Sequence, residues 1–113
     1  MDQLENALTP NVFYILFALS QENRHGYGIM QEVRMLSDGA VRMGPATLYT
    51  TIQRLLELSF IDEVSGPENA DSRRRYYRLT ADGRSALASE LGRMDSAVRK
   101  ARAMRLRMKE SRS

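Results

Sequence analysis

The sequence contains no cysteine and only one histidine, which limits the chemistry available to the protein. Without cysteine there is neither a disulfide framework nor a thiolate metal ligand, and a reducing compartment is the natural expectation. With His25 alone, a metal site would depend on carboxylates and a catalytic triad would have no alternative base. A phosphate-binding glycine loop and paired carboxylates on one face are also missing. We therefore expect neither an enzyme nor a protein that needs a metal or another cofactor.

Long hydrophobic runs are also missing. The longest apolar run covers residues 12–19 and is too short to span a bilayer. The acidic N-terminus lacks the positive region and cleavage site of a signal peptide. A chain of 113 residues with 42% hydrophobic content has room for one domain and one long element without a core of its own. We expect a cytoplasmic protein without a membrane partner.

The net charge of +3 is unevenly distributed. Residues 93–113 contain eight Lys or Arg and two acidic residues, so this segment carries +6 and the other ninety-two residues carry −3. Binding of a polyanion outside the tail must therefore rest on a few local arginines. These are Arg24, Arg42, Arg54, Arg73, Arg74, Arg75 and Arg78.

Capping signals and apolar periodicity predict four helices. Thr9 followed by Pro10 is a strong helix start, because a hydroxyl can cap the free N–H groups and proline suits the first helical position. Gly44 and Pro45 open the third helix in a similar way, and Thr80 is the expected cap of the last one. The first helix is expected from residue 10 to about 20 or 21, the second from 26 or 27 to 36, and the last from 81 to about 108, while the third begins at residue 45 and precedes a change of period after Ser59.

Extended segments are expected after the third helix. The sequence changes from a helical to an alternating period after Ser59, so residues 61–64 and 74–79 are predicted to form a hairpin around a polar loop. A brief strand is also predicted over residues 40–43 and a polar loop over residues 21–26. The fold class is mainly α with a small β-hairpin. It consists of a winged helix-turn-helix domain over residues 1–80 and a C-terminal dimerisation helix with a basic tail over residues 81–113.

The last helix carries one apolar stripe. A helix of this length with a single stripe needs a partner, and a second copy of the chain is the simplest one, so we expect a homodimer. Arg105 interrupts the stripe. Its members are Leu87, Leu91, Met94, Val98, Ala101 and Met108.

Four segments together resemble PadR-family transcriptional regulators of the short subtype, which have a single C-terminal helix. They are HGYGIMQEV at residues 25–33, PATLYTTIQRLLELSFI at residues 45–61, DSRRRYYRLTADGR at residues 71–84, and the long helix that follows. The resemblance implies a dimeric repressor whose third helix enters the major groove of double-stranded DNA. It also implies that some members release DNA when phenolic or other small aromatic compounds bind between the subunits. The chain has no tryptophan for the indole stacking of drug-binding relatives.

The resemblance and the exposed face of the third helix indicate the candidate DNA-binding residues. Gln53 suits adenine, small methyl groups suit thymine, and tyrosine or arginine suits phosphate. Alternative interpretations are an amphipathic surface helix, a solvated edge strand and, for Tyr27, an anchor of the second helix. His25 is expected to contact backbone or a phosphate. The candidates are Ala46, Thr47, Tyr49, Thr50, Gln53, Arg54, Arg73, Arg74, Arg75, His25 and Tyr27.

Other residues leave alternatives open. Phe13, Tyr14, Phe17 and Met94 are candidates for the wall of an aromatic effector site, although ordinary packing would also explain them. The basic tail has three interpretations: a solvated helix face, additional phosphate contacts, or a site for an acidic partner. The alternative functions are a protein-interaction module that uses the basic wing and tail, and a regulator that needs no ligand.

Overall fold

The computed structural model describes residues 7–112, with side chains described as far as residue 105. The side chain of Met108 and those of the basic residues at 107, 109 and 112 lie outside the described residues. As predicted, the chain is mainly helical with a small antiparallel sheet and a long last helix. Its elements are α1 (Pro10–Leu19), β1 (Arg24–His25), α2 (Gly26–Leu36), α3 (Pro45–Glu57), β2 (Ile61–Val64), β3 (Tyr76–Leu79) and α4 (Ala81–Arg112).

The sheet has three strands in the order β1-β3-β2. The predicted hairpin is confirmed: β2 pairs antiparallel with β3, and Ile61 lies opposite Leu79. The other edge of β3 pairs with β1, which places His25 opposite Tyr76. Because β1 runs directly into α2, the sheet connects the start of that helix to the hairpin, or wing.

Two local predictions are wrong. Residues 40–43 form no strand, because the hydroxyl oxygen of Ser37 accepts the N–H of Val41 at 2.9 Å and holds this segment against the end of α2. Residues 21–26 were predicted as a loop but contain β1. A two-residue strand is too short to show an alternating pattern, and its partner β3 is distant in the sequence.

The core forms around α1. This helix begins as predicted, since Thr9 Oγ1 accepts the N–H of Val12 at 3.3 Å. Half of its ten residues are buried, and it packs against α2, α3, α4 and β3. Leu87, in the second turn of α4, joins the same core and is only 4% exposed. The part of α4 beyond the core projects, which gives the molecule a longest dimension of 61 Å.

The start of α4 is fixed by contacts with the turn before β2. The Thr80 hydroxyl donates to the Ser59 carbonyl at 2.6 Å, and its oxygen accepts the N–H of Gly83 at 3.0 Å. A Cβ atom at position 83 would collide with the Phe60 carbonyl oxygen. Glycine therefore allows α4 to begin directly against this turn, and the predicted Thr80 cap is confirmed.

Candidate nucleic-acid interface

Helix α3 has one buried and one exposed face. Leu48, Ile52 and Leu55 anchor it in the core. The six predicted recognition residues are all exposed, so the fold leaves their side chains accessible to DNA. They are Ala46, Thr47, Tyr49, Thr50, Gln53 and Arg54.

A groove, here called the wing groove, lies between the start of α2, the exposed face of α3 and the wing. Seven of the eleven predicted DNA-binding residues line it, although they come from three separate segments of the chain. The lining contains three arginines and no carboxylate, so this surface attracts anions. The lining residues are His25, Gly26, Tyr27, Tyr49, Ile52, Gln53, Leu56, Arg73, Arg74, Arg75 and Tyr77.

The other four candidates extend the exposed surface along α3. Thr50 and Arg54, together with Tyr49 and Gln53, border a depression that α1 closes with Thr9 and Asn11. Ala46 and Thr47 lie in the first turn of α3 and are exposed. An exposed surface therefore runs from the start of α1 across α3 to the wing.

Tyr49 connects α3 to the start of α2. A Cβ atom at Gly26 would lie 2.7 Å from the Tyr49 hydroxyl oxygen, so only glycine allows this approach without a shift of the ring. Tyr49 nevertheless remains 54% exposed. Its hydroxyl end thus contacts the start of α2 while the rest of the ring faces solvent.

The wing arginines differ in their existing contacts. Arg73 binds the Asp71 carboxylate through Nε at 3.2 Å and Nη2 at 3.1 Å, and these bonds, followed by the bond from the Arg73 backbone N–H, lower the pKa of Asp71. Arg78 lies 3.1 Å from Asp62, and Arg75 lies 4.0 Å from Glu63. Among the described residues, no carboxylate lies within ion-pair distance of Arg74.

His25 forms the N-terminal cap of α2. Its Nδ1 accepts the N–H of Gly28 at 3.1 Å, which confirms the predicted backbone contact, while its Nε2 lies 2.9 Å from Arg74 Nη1. Partial burial, and secondly the positive charge of Arg74, lower the pKa of His25 below its ordinary value. Tyr27, two residues further on, is 59% exposed, so its side chain is accessible to a ligand.

Two residues have roles that the sequence did not indicate. Arg24 was predicted to add positive charge, but its Nε donates to the Ala18 carbonyl at 3.0 Å and its guanidinium lies 3.6 Å from Glu32, so it serves the fold. The ring of Tyr76 packs edge-on against His25, with centroids 5.3 Å apart. This contact depends on the pairing of β1 with β3, which brings two distant segments of the chain together.

The comparisons with known proteins identify the family. The family model for the Transcriptional regulator PadR-like family matches residues 15–89. The chain belongs to this PadR-like family. It is also 32% identical over 74 residues to an uncharacterized protein from Lysinibacillus sphaericus, an alignment that covers 66% of this chain and 68% of the relative.

Solved structures share the fold of this PadR-like chain. A transcriptional regulator from Clostridium thermocellum is 25% identical with a TM-score of 0.66, and the match covers 82% of this chain and 87% of that one. A PadR family transcription regulator from Clostridium difficile is 23% identical with a TM-score of 0.66, covering 87% and 99%. H. salinarum RosR is 22% identical with a TM-score of 0.66, covering 92% and 94%. Family and fold together make the chain a DNA-binding transcription regulator with a winged helix-turn-helix.

The predicted dimer residues of this PadR-like chain fall into two groups. Leu87 is buried in the core of a single chain, so its burial needs no second subunit. Leu91, Met94, Val98 and Ala101 are exposed along α4 beyond that core. In the described part of one chain these side chains stay partly exposed, Leu91 at 39%, Met94 at 40% and Val98 at 45%.

The predicted effector residues also differ in accessibility. Phe13 is buried, and its ring centroid lies 4.9 Å from that of Tyr14 and 5.7 Å from that of Phe17. Tyr14 and Phe17 are half-buried, and Met94 on α4 is 40% exposed. The aromatic residues of α1 therefore form one cluster with an accessible side.

None of the described helices is long and apolar enough to cross a membrane.

Proposed function

We propose that this protein is a homodimeric, sequence-specific repressor that holds double-stranded DNA between α3 and the wing. The observation that carries the proposal is the wing groove, in which three arginines lie beside the exposed face of a helix. An α-helix has the width that the major groove admits, and arginines beside it can neutralise phosphates and release counterions.

The exposed face of α3 supplies the proposed contacts to DNA. Gln53 can form two hydrogen bonds with adenine, and the methyl groups of Ala46, Thr47 and Thr50 can contact thymine. Tyr49 and Arg54 bind phosphates beside the bases, as do the arginines of the wing. His25 and Tyr27 hold the backbone at the start of α2.

The exposed apolar stripe of α4 supports the proposed dimer. Leu91, Met94, Val98 and Ala101 follow a heptad spacing, so α4 of a second copy can cover them. In this proposal residues 1–80 bind DNA and residues 81–113 dimerise. The two DNA-binding domains of the dimer then bind a palindromic operator in the cytoplasm. Occupation of the operator then blocks a promoter.

We further propose that a small aromatic or phenolic compound binds between the subunits beside Tyr14, Phe17 and Met94. Binding there changes the angle between the two DNA-binding domains and lowers the affinity of the dimer for the operator. Titration of the operator complex with a panel of phenolic compounds is expected to release DNA. A flat response across the panel would instead favour a regulator that needs no ligand.

The decisive experiment is selection of bound sequences from random DNA, followed by footprinting on the selected site. The expected result is a two-fold symmetric consensus whose two halves are both protected. Recovery of no consensus, with binding to acidic proteins instead, would favour the protein-interaction module.

A further inference from the structure

We propose that a cleft within the single chain binds a small organic acid, a carboxylate with an apolar body, and that the bound acid weakens operator binding through Arg54. The cleft, here called the α1–α4 cleft, lies where the start of α1, the end of α3 and the first turns of α4 meet. Its volume of about 610 Å³ is within the range of small-molecule sites in proteins. The effect on the operator rests on the proposed DNA-binding function, whereas binding of the acid does not.

The walls of the α1–α4 cleft are largely apolar. They consist of Leu8 and Val12 at the start of α1, Leu58 and Phe60 after α3, and Ala86 on α4. Leu58 is 48% exposed, so a large apolar side chain faces the cleft with much of its surface in water. An apolar ligand group that covers these walls removes them from water, which favours its binding.

Arg93 supplies a partly used set of hydrogen-bond donors to the cleft. Its Nη2 donates to Glu90 Oε1 at 2.6 Å, and the same oxygen accepts the N–H of Leu8 at 3.2 Å. Glu90 thus holds the Arg93 side chain beside the start of α1. Arg93 Nε is buried without a hydrogen-bond partner among the described residues. A buried donor without a partner is unfavourable, so a carboxylate that accepts from this guanidinium would be stabilised.

The local charge favours a singly charged ligand. Arg54 and Arg93 line the cleft, and none of the described residues that line it is acidic. Glu90 already offsets the charge of Arg93, whereas no described carboxylate lies within ion-pair distance of Arg54. The two arginines and Glu90 together therefore leave a local charge of +1. A monocarboxylate matches this charge, and its planar oxygens match the donors of a guanidinium group.

Arg54 connects the α1–α4 cleft to the proposed DNA surface. It lines this cleft, and it also borders the depression that contains Tyr49, Thr50 and Gln53. The same guanidinium can therefore bind the carboxylate of the acid or a DNA phosphate, and the two anions compete for it. A bound acid thus withdraws one phosphate contact from the operator complex. By reciprocity, bound operator weakens binding of the acid by the same factor.

The α1–α4 cleft is separate from the effector site proposed between the subunits. Tyr14, Phe17 and Met94 do not line it. On α4, the cleft residues Ser89 and Arg93 lie roughly a third of a turn around the helix from the exposed apolar stripe. A second copy that packs on the stripe therefore leaves the cleft open, and the cleft is complete within one chain.

The direct test uses two acids without an aromatic ring, hexanoate and cyclohexanecarboxylate. Their uncharged counterparts, hexanol and cyclohexylmethanol, are the controls. Isothermal titration calorimetry on the full chain without DNA measures binding. We expect one acid to bind per chain, and its alcohol to bind at least about tenfold more weakly, because the alcohol cannot form charge-assisted hydrogen bonds with the arginines. Absence of saturable binding for both acids overturns the cleft proposal and leaves the repressor proposal intact.

Two variants locate the bound acid. Ser89→Trp places a large side chain in the cleft without changing its charge, so it should lose most of its affinity for the acids. Ser85→Trp makes the same change at an exposed position of α4 outside the cleft and should bind them as the wild type does. Arg93→Gln should weaken binding by about tenfold or more, because it removes a charge-assisted hydrogen bond. Wild-type binding in both Ser89→Trp and Arg93→Gln would overturn the cleft as the site.

The effect on the operator is measured by fluorescence anisotropy with and without the acid. Operator affinity of the wild type should fall several-fold when the acid is saturating. Ser89→Trp should bind the operator as the wild type does without acid, and its affinity should not respond to the acid. An acid that binds in the cleft without lowering operator affinity overturns the competition for Arg54. Failure of the wild type to select any DNA overturns the proposed function, while the calorimetry still decides whether the cleft binds the acid.

Discussion

At the level of single residues, the wing arginines differ in how far their charge is already neutralised. Arg78 forms a close pair with Asp62, while Arg74 faces the groove without a carboxylate partner among the described residues. An exposed ion pair contributes little to stability, but it reduces the net charge that a phosphate meets. Equal formal charges in the sequence therefore do not imply equal contributions to DNA binding.

The salt dependence of binding should reveal this difference. Arg74→Ala removes one phosphate contact, so the slope of log affinity against log salt should fall in magnitude by about 1. Arg78→Ala should change the slope less, because Asp62 already offsets its charge. The measurement is operator affinity over a salt series. Equal slopes for Arg74→Ala and wild type would contradict the assignment.

Gln53 is expected to contribute base preference. Gln53→Ala should lose about 1–3 kcal/mol of discrimination at one adenine position, because it removes a pair of hydrogen bonds to that base. Gel shifts with the selected operator and with a single-base variant measure this discrimination. Gln21→Ala, an equal truncation at an exposed turn, should leave it unchanged. Unaltered affinity and base preference in Gln53→Ala would remove Gln53 from the interface.

At the level of elements, the junction between β3 and α4 depends on close backbone contact. Gly83→Ala should destabilise the fold by about 1–3 kcal/mol, since its Cβ would collide with the Phe60 carbonyl oxygen. Gly92→Ala in the same helix has open space around its Cβ and should stabilise by up to about 1 kcal/mol through helix propensity. Thermal denaturation compares the two. Equal stability in both variants would contradict the proposed role of Gly83.

The helices were predictable because their signals are local. Thr9, Pro45 and Thr80 begin helices for reasons visible within a few residues, and the apolar spacing of α3 correctly gave its buried face. The strand β1 was not predictable in this way. Its two residues are extended because β3 pairs with them, and that partner is brought close only by the packing of α1 and α2.

At the level of the whole molecule, α4 divides into a part that belongs to the core and a part that extends beyond it. The sequence put Leu87 and Leu91 in one stripe, but Leu87 is 4% exposed and Leu91 is 39% exposed in the single chain. Periodicity gives the face of a helix but not the depth at which each turn is buried. Only the position of α1 beside the first turns of α4 distinguishes the two.

The dimer proposal makes this division testable. A double variant, Met94→Glu with Val98→Glu, should sediment as a monomer, because it places charge on the exposed apolar stripe. Operator affinity should then fall by a factor on the order of 10²–10⁴. In a dimer the second DNA-binding domain binds at a high effective concentration once the first is bound, and separate monomers lose this advantage. Ser85→Glu, on an exposed position of α4, should remain dimeric. Leu87→Ala should instead lower the stability of the fold by about 2–5 kcal/mol. Persistence of the dimer in the double variant would contradict the proposal.

The sequence by itself determined the family, the helices, the wing and the exposed face of α3, because these depend on local signals and on motifs within short segments. Only the tertiary structure decided which arginines have carboxylate partners, that Arg24 serves the fold, and that His25 meets Arg74. These outcomes depend on β1 pairing with β3, which brings the start of α2 and the wing together from distant parts of the chain. The charged residues are known from the sequence, but which of them are neutralised by a partner depends on distances that only the folded chain sets.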